Sequence, residues 1–164
     1  MSDSIFKENL FEGKKVFITD GATGMGLGFA KAFLEHGADV LIASRKEENL
    51  SKAASEIKEQ TGKTLHWKMM DVRNNETVEE VAKYIKDKWG YLDVLVNNAA
   101  GNFVTPAAAM SENAWRAVID IVLDGTFRVS KACYPLLRNN EEGSSIVNII
   151  ANYAWGAAPF VAHS

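Results

Sequence analysis

Cysteine is nearly absent from this sequence, and histidine is scarce. The only cysteine among the 164 residues, Cys133, cannot form a disulfide within the chain, which favours a reducing compartment. The three histidines, His36, His66 and His163, are scattered along the chain. Metal sites need such ligands at characteristic short spacings, so the sequence predicts no metal site.

Long apolar segments and an excess of positive charge are also missing. No apolar run approaches the length that spans a bilayer, and residues 1–9 resemble neither a secretory nor a mitochondrial targeting segment. The chain has 18 basic and 21 acidic side chains, a net charge of −3, and no basic stripe. This balance argues against nucleic acid as the main partner. We therefore expect a cytoplasmic protein whose partners are neither membranes nor nucleic acid.

Apolar runs and helical patterns alternate along the whole chain. The predicted strands are 15–19, 38–44, 65–70, 93–97 and 145–150, and the predicted helices are 25–36, 46–61, 77–89 and 111–138. Strands that alternate with helices predict a parallel sheet covered on both faces. We expect a single α/β domain over residues 1–164, a doubly wound Rossmann-like sheet with strand order 3-2-1-4-5.

A glycine-rich turn joins the first strand to the first helix. Backbone N–H groups at such a turn and the positive end of the helix dipole attract a pyrophosphate, which can approach because side chains are missing. The alternative is an ordinary tight turn without a ligand. The candidate cofactor-binding residues here are Thr19, Asp20, Gly21, Thr23, Gly24, Met25 and Gly26.

Arg45 follows the second strand, where an NAD-selective protein usually has an acidic residue that binds the ribose 2′-hydroxyl. A guanidinium instead suits a 2′-phosphate, because the two groups pair through two hydrogen bonds. Arg45 therefore indicates NADP(H), although a solvated arginine in the first turn of a helix is the alternative.

These residues resemble the short-chain dehydrogenase/reductase family. The resemblance depends on Thr19, Gly24 and Gly26 in the glycine turn, on Asp71 after the third strand, and on Asn-Asn-Ala at 97–99 after the fourth. It covers the chain from residue 10 onward. Asp20 is a departure, because the family's turn normally begins with glycine, and a carboxylate there would repel the cofactor phosphates.

Within this family the sequence is most similar to the 2,4-dienoyl-CoA reductases. The run Asn-Asn-Ala-Ala-Gly-Asn-Phe at 97–103 carries that similarity, and Trp115, the run 120–127, and Tyr153 followed eleven positions later by Ser164 support it.

The more common dehydrogenases of the family pair a serine after the fifth strand with a tyrosine thirteen residues later, and they often have an active-site asparagine before a helix glycine. Here Ile150 lies thirteen residues before His163, and Val122 lies where that asparagine would be. Both differences favour the dienoyl-CoA reductases.

The resemblance implies NADPH-dependent reduction of 2,4-dienoyl-CoA to 3-enoyl-CoA in fatty-acid β-oxidation, by a homo-oligomer that in the full-length family fold is a tetramer. Its implied catalytic residues are Tyr153, Asn102 and Ser164, its further cofactor-binding residues are Asp71, Val72, Asn98, Ala99 and Ala100, and its substrate-binding residues are Arg73, Phe103 and Ser111. Negative charge collects on the thioester oxygen during such a reduction, and the Tyr153 hydroxyl and the Asn102 amide are the candidate donors to it.

Alternatives remain for each of these roles. Tyr153 could be a rim residue, Asn102 a turn former, and His163 a proton donor in place of the tyrosine. The chain could belong to a different short-chain reductase, of 3-ketoacyl or 2-enoyl thioesters, or be an inactive NADP-binding fragment.

The family fold continues beyond position 164, with a lysine four residues further on and the last strands and helices. We therefore expect the C-terminal part of the fold to be absent from these 164 residues and the strand at 145–150 to present an apolar edge. The isolated chain is expected to be poorly soluble, oligomeric through that edge, or inactive.

Overall fold

A computed structural model describes residues 6–156 and 159–163 of the chain. The strands are β1 (Lys15–Thr19), β2 (Asp39–Ser44), β3 (His66–Met69), β4 (Val94–Asn97) and β5 (Ser145–Asn148). The helices are α1 (Gly24–Glu35), α2 (Glu47–Thr61), α3 (Asn75–Trp89), α4 (Glu112–Ile119) and α5 (Gly125–Arg138). A π-helical turn over Asp120–Asp124 joins α4 to α5, and short 3-10 turns lie at Ala107–Ala109 and Asn152–Ala154.

The five strands form one parallel sheet in the order β3-β2-β1-β4-β5. This confirms the predicted strand order and α/β class. Every predicted strand is present, and the largest difference is that β5 ends at Asn148, two residues before the predicted end. All the strands end at the same edge of the sheet, where doubly wound folds bind their ligands.

The side chains of β1 alternate between two hydrophobic clusters, one on each face of the sheet. Phe17 packs on one face with Leu95 and Ile85, while Val16 and Ile18 are buried on the other face. This alternation follows from the two-residue period of a strand and explains why β1 is almost completely buried. The rigid core holds the carboxyl ends of the strands in place.

Cys133 of α5 belongs to the first of these clusters. Burial raises the pKa of its thiol to about 12. The side chain therefore stays a protonated apolar group at neutral pH, not a reactive thiolate.

The prediction of one helix over 111–138 is wrong in detail. The segment is helical, but α4 ends at Ile119 and the π-helical turn inserts extra backbone before α5 begins. Side chains of α5 donate to two carbonyl groups of this turn: the Thr126 hydroxyl donates to the Val122 carbonyl at 2.6 Å, and Arg128 donates to the Asp120 carbonyl at 3.3 Å. Helical periodicity alone does not reveal such an insertion.

In the described part of the chain β5 pairs with β4 alone, so it is an edge strand of the sheet. All its residues are exposed, including Ile146 and Val147. The apolar edge that was predicted is therefore present among these residues. No helix in the described ranges combines the length and apolar character that crossing a bilayer would require.

Candidate functional site

The turn between β1 and α1 adopts the conformation that its glycines predict. Gly24 has a φ of +55°, in the left-handed region that favours glycine, and Asp20 has a φ of +52°. Asp20 therefore accepts a conformation that a glycine would adopt without strain. The Thr23 side chain does not cap α1, and the first turn of that helix has no acidic residue. The first N–H groups of α1 are thus left for an anion.

Gly26 and Gly21 are sites of close packing. A Cβ atom on Gly26 would lie 2.5 Å from the Asp20 carbonyl oxygen and 2.6 Å from the side-chain nitrogen of Asn98, and one on Gly21 would lie 2.4 Å from Cγ2 of Ile42. These distances leave no room for a side chain at either position. Because both residues are glycines, the turn can pack closely between β1 and α1. The residues present therefore fit a dinucleotide at this turn, where the Asp20 carboxylate is an unfavourable charge.

Thr19 connects this turn to the loop after β4. Its hydroxyl oxygen accepts hydrogen bonds from the backbone N–H groups of Asn98 and Ala99, each at 2.9 Å. The Asn98 side chain returns two bonds, donating to the carbonyl oxygens of Thr19 and Asp20, each at 3.1 Å. Asn98 therefore holds the cofactor turn in place through its side chain.

A cavity lies at the carboxyl ends of β1 to β4 and brings together six of the predicted cofactor-binding residues, Asp20, Arg45, Asp71, Val72, Ala99 and Ala100. Four other residues that line the cavity were not predicted to bind the cofactor: Ala43, Ser44, Met70 and Ile121. The first three end β2 or follow β3, so their place at the ligand edge could have been inferred from the strand ends. Ile121 lies in the π-helical turn, which the sequence did not indicate.

Arg45 is exposed at this cavity, and its guanidinium forms no hydrogen bond or ion pair with another described residue. Its positive charge lowers the pKa of Asp20, but a larger effect, partial desolvation of the carboxylate by the atoms around it, leaves that pKa above its ordinary value. Residue 20 is nevertheless exposed overall, so its carboxylate lies at the mouth of the cavity. The cavity thus combines the available guanidinium of Arg45 with two carboxylates, Asp20 and Asp71, and the positive charge of Arg45 favours the ionised form of each.

Arg73 pairs with Asp71. Its Nε donates to Oδ1 at 2.9 Å and its Nη2 donates to Oδ2 at 2.5 Å. These bonds from Arg73 hold the pKa of Asp71 below its ordinary range. The predicted role of Arg73 in binding substrate is untested, and in this structure two of its three nitrogens are engaged by the carboxylate.

The side chain of Asn102 has a defined orientation. Its Oδ1 accepts from the backbone N–H of Phe103 at 2.8 Å and also lies 2.8 Å from Nε2 of His163. A backbone N–H can only donate, so the atom that it contacts must be the amide oxygen. The Nδ2 group then points away from both partners, and it forms no hydrogen bond within the described residues.

A single parallel bridge between Thr105 and Val161 brings the segment of His163 beside the loop of Asn102. The Thr105 N–H donates to the carbonyl of Phe160 at 2.9 Å, and Val161 is buried. Phe160 has a φ of +70°, a rare conformation for a bulky residue. Such strain persists only where surrounding contacts hold it, and here the bridge supplies one.

Three other predicted residues lie in different surroundings. Tyr153 lies in the 3-10 turn after β5, where the residue is 42% exposed, and its hydroxyl forms no hydrogen bond with a described residue. The Ser111 hydroxyl accepts from the Ala114 N–H at 3.2 Å and so caps α4. The structure therefore gives Ser111 a helix-capping role, and its predicted contact with substrate is untested. Ser164 lies outside the described residues.

A small polar cluster lies under the loop, where β4 and β5 end. Asn97 is opposite Asn148 in the sheet, and its Nδ2 donates to the Asn148 Oδ1 at 2.9 Å and to the Ser130 hydroxyl at 3.0 Å. The remaining polar atom of this side chain, Oδ1, is buried without a partner among the described residues.

Among curated proteins, the chain is 40% identical over 153 residues to a protein of Bacillus subtilis named probable 2,4-dienoyl-CoA reductase [(2E)-enoyl-CoA-producing], covering 93% of this chain and 60% of that protein. It is 37% identical over 160 residues to a peroxisomal 2,4-dienoyl-CoA reductase [(3E)-enoyl-CoA-producing] of Danio rerio, covering 98% of this chain and 53% of that protein. The chain therefore spans little more than half the length of these relatives.

Solved structures lead to the same family. A short chain dehydrogenase from Bacillus anthracis is 43% identical, with a TM-score of 0.83 over 92% of this chain and 62% of that one. A gluconate 5-dehydrogenase from Burkholderia cenocepacia, solved in complex with NADP and tartrate, is 27% identical with a TM-score of 0.85, over 95% of this chain and 60% of that one. A sequence model of the family described as short chain dehydrogenase matches residues 14–162. The chain belongs to the short-chain dehydrogenase family.

Proposed function

We propose that this chain is part of an NADPH-dependent reductase that converts 2,4-dienoyl-CoA to 3-enoyl-CoA in fatty-acid β-oxidation. The observation that carries the proposal is the orientation of Asn102, whose amide Nδ2 is directed away from Phe103 and His163 and has no protein partner among the described residues. The amide lies two residues after Ala100, which lines the cavity at the sheet edge. The names of the relatives support the same substrate class.

NADP(H) is the proposed cofactor. The tight turn at Gly26 and the uncapped N-terminus of α1 suit the pyrophosphate, and Arg45 supplies a guanidinium for a 2′-phosphate. Asp71, Val72, Ala99 and Ala100 line the same cavity and would contact the remainder of the nucleotide. When bound, the reduced nicotinamide supplies a hydride to the δ carbon of the dienoyl chain.

The chain's own residues would stabilise the charge that develops on the substrate. Electrons move from the δ carbon through the conjugated system to the thioester oxygen, and Asn102 Nδ2–H can donate to that oxygen. The Tyr153 hydroxyl, which forms no hydrogen bond with a described residue, is proposed as a second donor. A contribution made mainly in the transition state raises turnover more than it tightens substrate binding.

The position of protonation decides the product. A proton delivered to the α carbon leaves the double bond between C3 and C4, which is the 3-enoyl product that we propose. A proton delivered to the γ carbon leaves the double bond between C2 and C3, and the name of the Bacillus subtilis relative describes such a product for that protein. We assign no residue of this chain to the proton transfer.

The test is NADPH oxidation with 2,4-hexadienoyl-CoA by the full-length protein that carries this sequence, with the product separated and its double bond located. Asn102→Ala should lower turnover roughly a hundredfold to a thousandfold and leave NADPH binding unchanged. Asn113→Ala, which removes an exposed asparagine of α4, serves as the matched control. Reduction of only 3-ketoacyl or 2-enoyl thioesters would instead assign the protein to a different short-chain reductase.

An inactive NADP-binding fragment is the second candidate, and the Asp20 carboxylate at the cavity is the observation that favours it. Calorimetric titration of the 164-residue chain with NADPH separates binding from turnover. Binding without turnover in both this chain and the full-length protein would support this candidate. No binding in either would contradict both functions.

A homo-oligomer in the cytoplasm completes the proposal. Trp115, Leu123 and Phe127 expose large apolar side chains along α4, the π-helical turn and α5, which supports association through this side. The Danio rerio relative is named peroxisomal, so imaging of the tagged full-length protein tests the compartment. A peroxisomal signal would contradict the cytoplasmic assignment, and sedimentation as a monomer would contradict the oligomer.

A further inference from the structure

We infer that His163 is a positioning residue that acts through Asn102, holding the asparagine amide in the orientation that a developing oxyanion requires. The inference rests on the proposed function for the substrate, but the contact itself is between two residues of this chain. His163 Nε2 and Asn102 Oδ1 are 2.8 Å apart.

The direction of this hydrogen bond follows from the chemistry of the two groups. Asn102 Oδ1 is an acceptor because it already accepts from the Phe103 N–H, so Nε2 must carry the hydrogen. Two donors thereby converge on one oxygen. A flip of the amide by 180° would set Nδ2 against the Phe103 N–H and lose that bond, which selects the orientation with Nδ2 available. In the tautomer with its hydrogen on Nε2, His163 adds a second donor that favours the same orientation.

His163 depends on Asn102 in turn. Its other ring nitrogen, Nδ1, is buried and has no partner among the described residues. The bond to Asn102 is therefore the one hydrogen bond that orients the ring in the described structure. The bridge between Thr105 and Val161 holds the two loops next to each other, so that the His163 ring lies within reach of the Asn102 amide.

This role differs from proton donation by His163. A positioning residue needs only a hydrogen-bond donor at the place of Nε2, whereas a proton donor needs a group that titrates. Glutamine separates the two, because its amide nitrogen can donate from a similar distance along the side chain but cannot transfer a proton at neutral pH. Asparagine is one methylene shorter and should not reach.

The experiment measures turnover of 2,4-hexadienoyl-CoA by the full-length protein. His163→Ala should lower kcat on the order of tenfold to a hundredfold with little change in KM for NADPH, and His163→Gln should restore most of it. His163→Asn should resemble the alanine variant, and His66→Ala, which removes a histidine of β3, should have no comparable effect. A glutamine variant as slow as the alanine variant would overturn the inference.

A double substitution tests whether the effect passes through Asn102. In an Asn102→Ala background, His163→Ala should cost little further activity, because the group that it positions is already gone. A full additional loss would overturn the inference.

A readout without substrate keeps this result separate from the proposed function. In nuclear magnetic resonance spectra of the full-length protein without substrate, the Asn102 side-chain NH₂ signals should shift and sharpen towards those of a mobile asparagine side chain in His163→Ala, and return in His163→Gln. Unchanged signals would overturn the inference even if the enzyme is active. Changed signals in a protein that reduces no dienoyl-CoA would support the contact and reject the proposed function alone.

Discussion

The hydroxyl oxygen of Thr19, at the end of β1, accepts hydrogen bonds from the backbone N–H groups of both Asn98 and Ala99, at 2.9 Å each. Thr19 is buried, with 1% of its surface exposed. One side chain therefore joins the cofactor turn after β1 to the loop after β4 that leads to Asn102. This contact therefore fixes the position of the loop after β4 relative to the cofactor turn.

Replacement of Thr19 by valine should destabilise the protein by about 1–3 kcal/mol, since it removes the partner of two partly buried N–H groups, those of Asn98 and Ala99. Valine preserves the shape of threonine, so packing is little disturbed. Thr19→Ser, which retains the hydroxyl, is the control and should lose less. Urea denaturation measures the free energy of unfolding, and a valine variant as stable as wild type would show that these bonds contribute nothing net.

Two glycines of α1 should respond to alanine in opposite ways. Gly26→Ala should abolish nucleotide binding and destabilise the chain by about 1–3 kcal/mol, because its Cβ would overlap the Asp20 carbonyl. A Cβ atom on Gly28 would have open space within 4 Å, so Gly28→Ala should instead stabilise α1 by about 0.5–1 kcal/mol. Thermal unfolding with and without NADPH measures both effects. Equal behaviour of the two variants would contradict the packing argument.

Arg45→Asp should shift cofactor preference from NADP towards NAD. Loss of one charge-assisted contact with the 2′-phosphate should weaken NADP binding by about 1.5–3 kcal/mol. Lys52→Asp makes the same change of charge on an exposed part of α2 and should leave the preference unaltered. Calorimetric titration with each nucleotide decides the question, and tighter binding of NAD by the wild-type chain would reject the prediction.

Asp20→Asn should tighten NADPH binding and raise the free energy of unfolding at neutral pH, because partial desolvation disfavours the carboxylate. Asparagine also accepts the left-handed conformation at this position. The pKa of Asp20 is raised in the folded state, so its protonated form favours folding. The contribution of this protonated form to the free energy of unfolding is fully present below the unfolded-state pKa. It is lost as pH rises through the folded-state pKa.

The differences in free energy of unfolding and in NADPH affinity between Asp20→Asn and wild type should therefore be small at acidic pH. They should grow as pH rises through the raised folded-state pKa of Asp20. Urea denaturation and NADPH titration at a series of pH values measure them. Asp39→Asn, at the opposite end of the sheet from the cavity, controls for a general effect of charge on NADPH binding. A difference that stays constant across this range would reject the assignment to Asp20.

Tyr153→Phe should lower turnover of 2,4-dienoyl-CoA by the full-length protein roughly a hundredfold to a thousandfold, as expected for loss of one donor to an oxyanion. NADPH binding should change little. Tyr134→Phe alters another exposed tyrosine, on α5, and should have no such effect. Full activity in Tyr153→Phe together with inactivity in His163→Gln would assign the acid to His163.

The strand order, the helices and the cofactor cavity could be predicted because each depends on short stretches of sequence. The alternation of Val16, Phe17 and Ile18 and the glycine turn specify their own structure, and parallel strands bring their carboxyl ends together. Local sequence signals also indicate the structural role of a residue to which the prediction gave a different role. Ser111 precedes a helical pattern and has the residue type of an N-cap, which is the role that the structure shows.

The remaining features depend on contacts distant in sequence. His163 and Asn102 were each singled out as candidates, but residues 61 positions apart meet only because a bridge joins their loops. The π-helical turn accepts hydrogen bonds from Thr126 and Arg128, and hydrophobic periodicity does not report such contacts. The pairing of Arg73 with Asp71 depends on side-chain rotamers rather than on residue type.

The pair of asparagines at the ends of β4 and β5 has a consequence for strand alignment. A slip of β5 by one residue would turn every one of its side chains to the other face of the sheet and leave Asn97 opposite an apolar residue, Val147 or Ile149. Its buried amide would then lose the Asn148 oxygen. The pair therefore penalises misaligned pairing that the apolar residues of β5 would tolerate. Because β4 leads to Asn102 and β5 leads to His163, correct alignment at the sheet also determines which loop residues can meet above it.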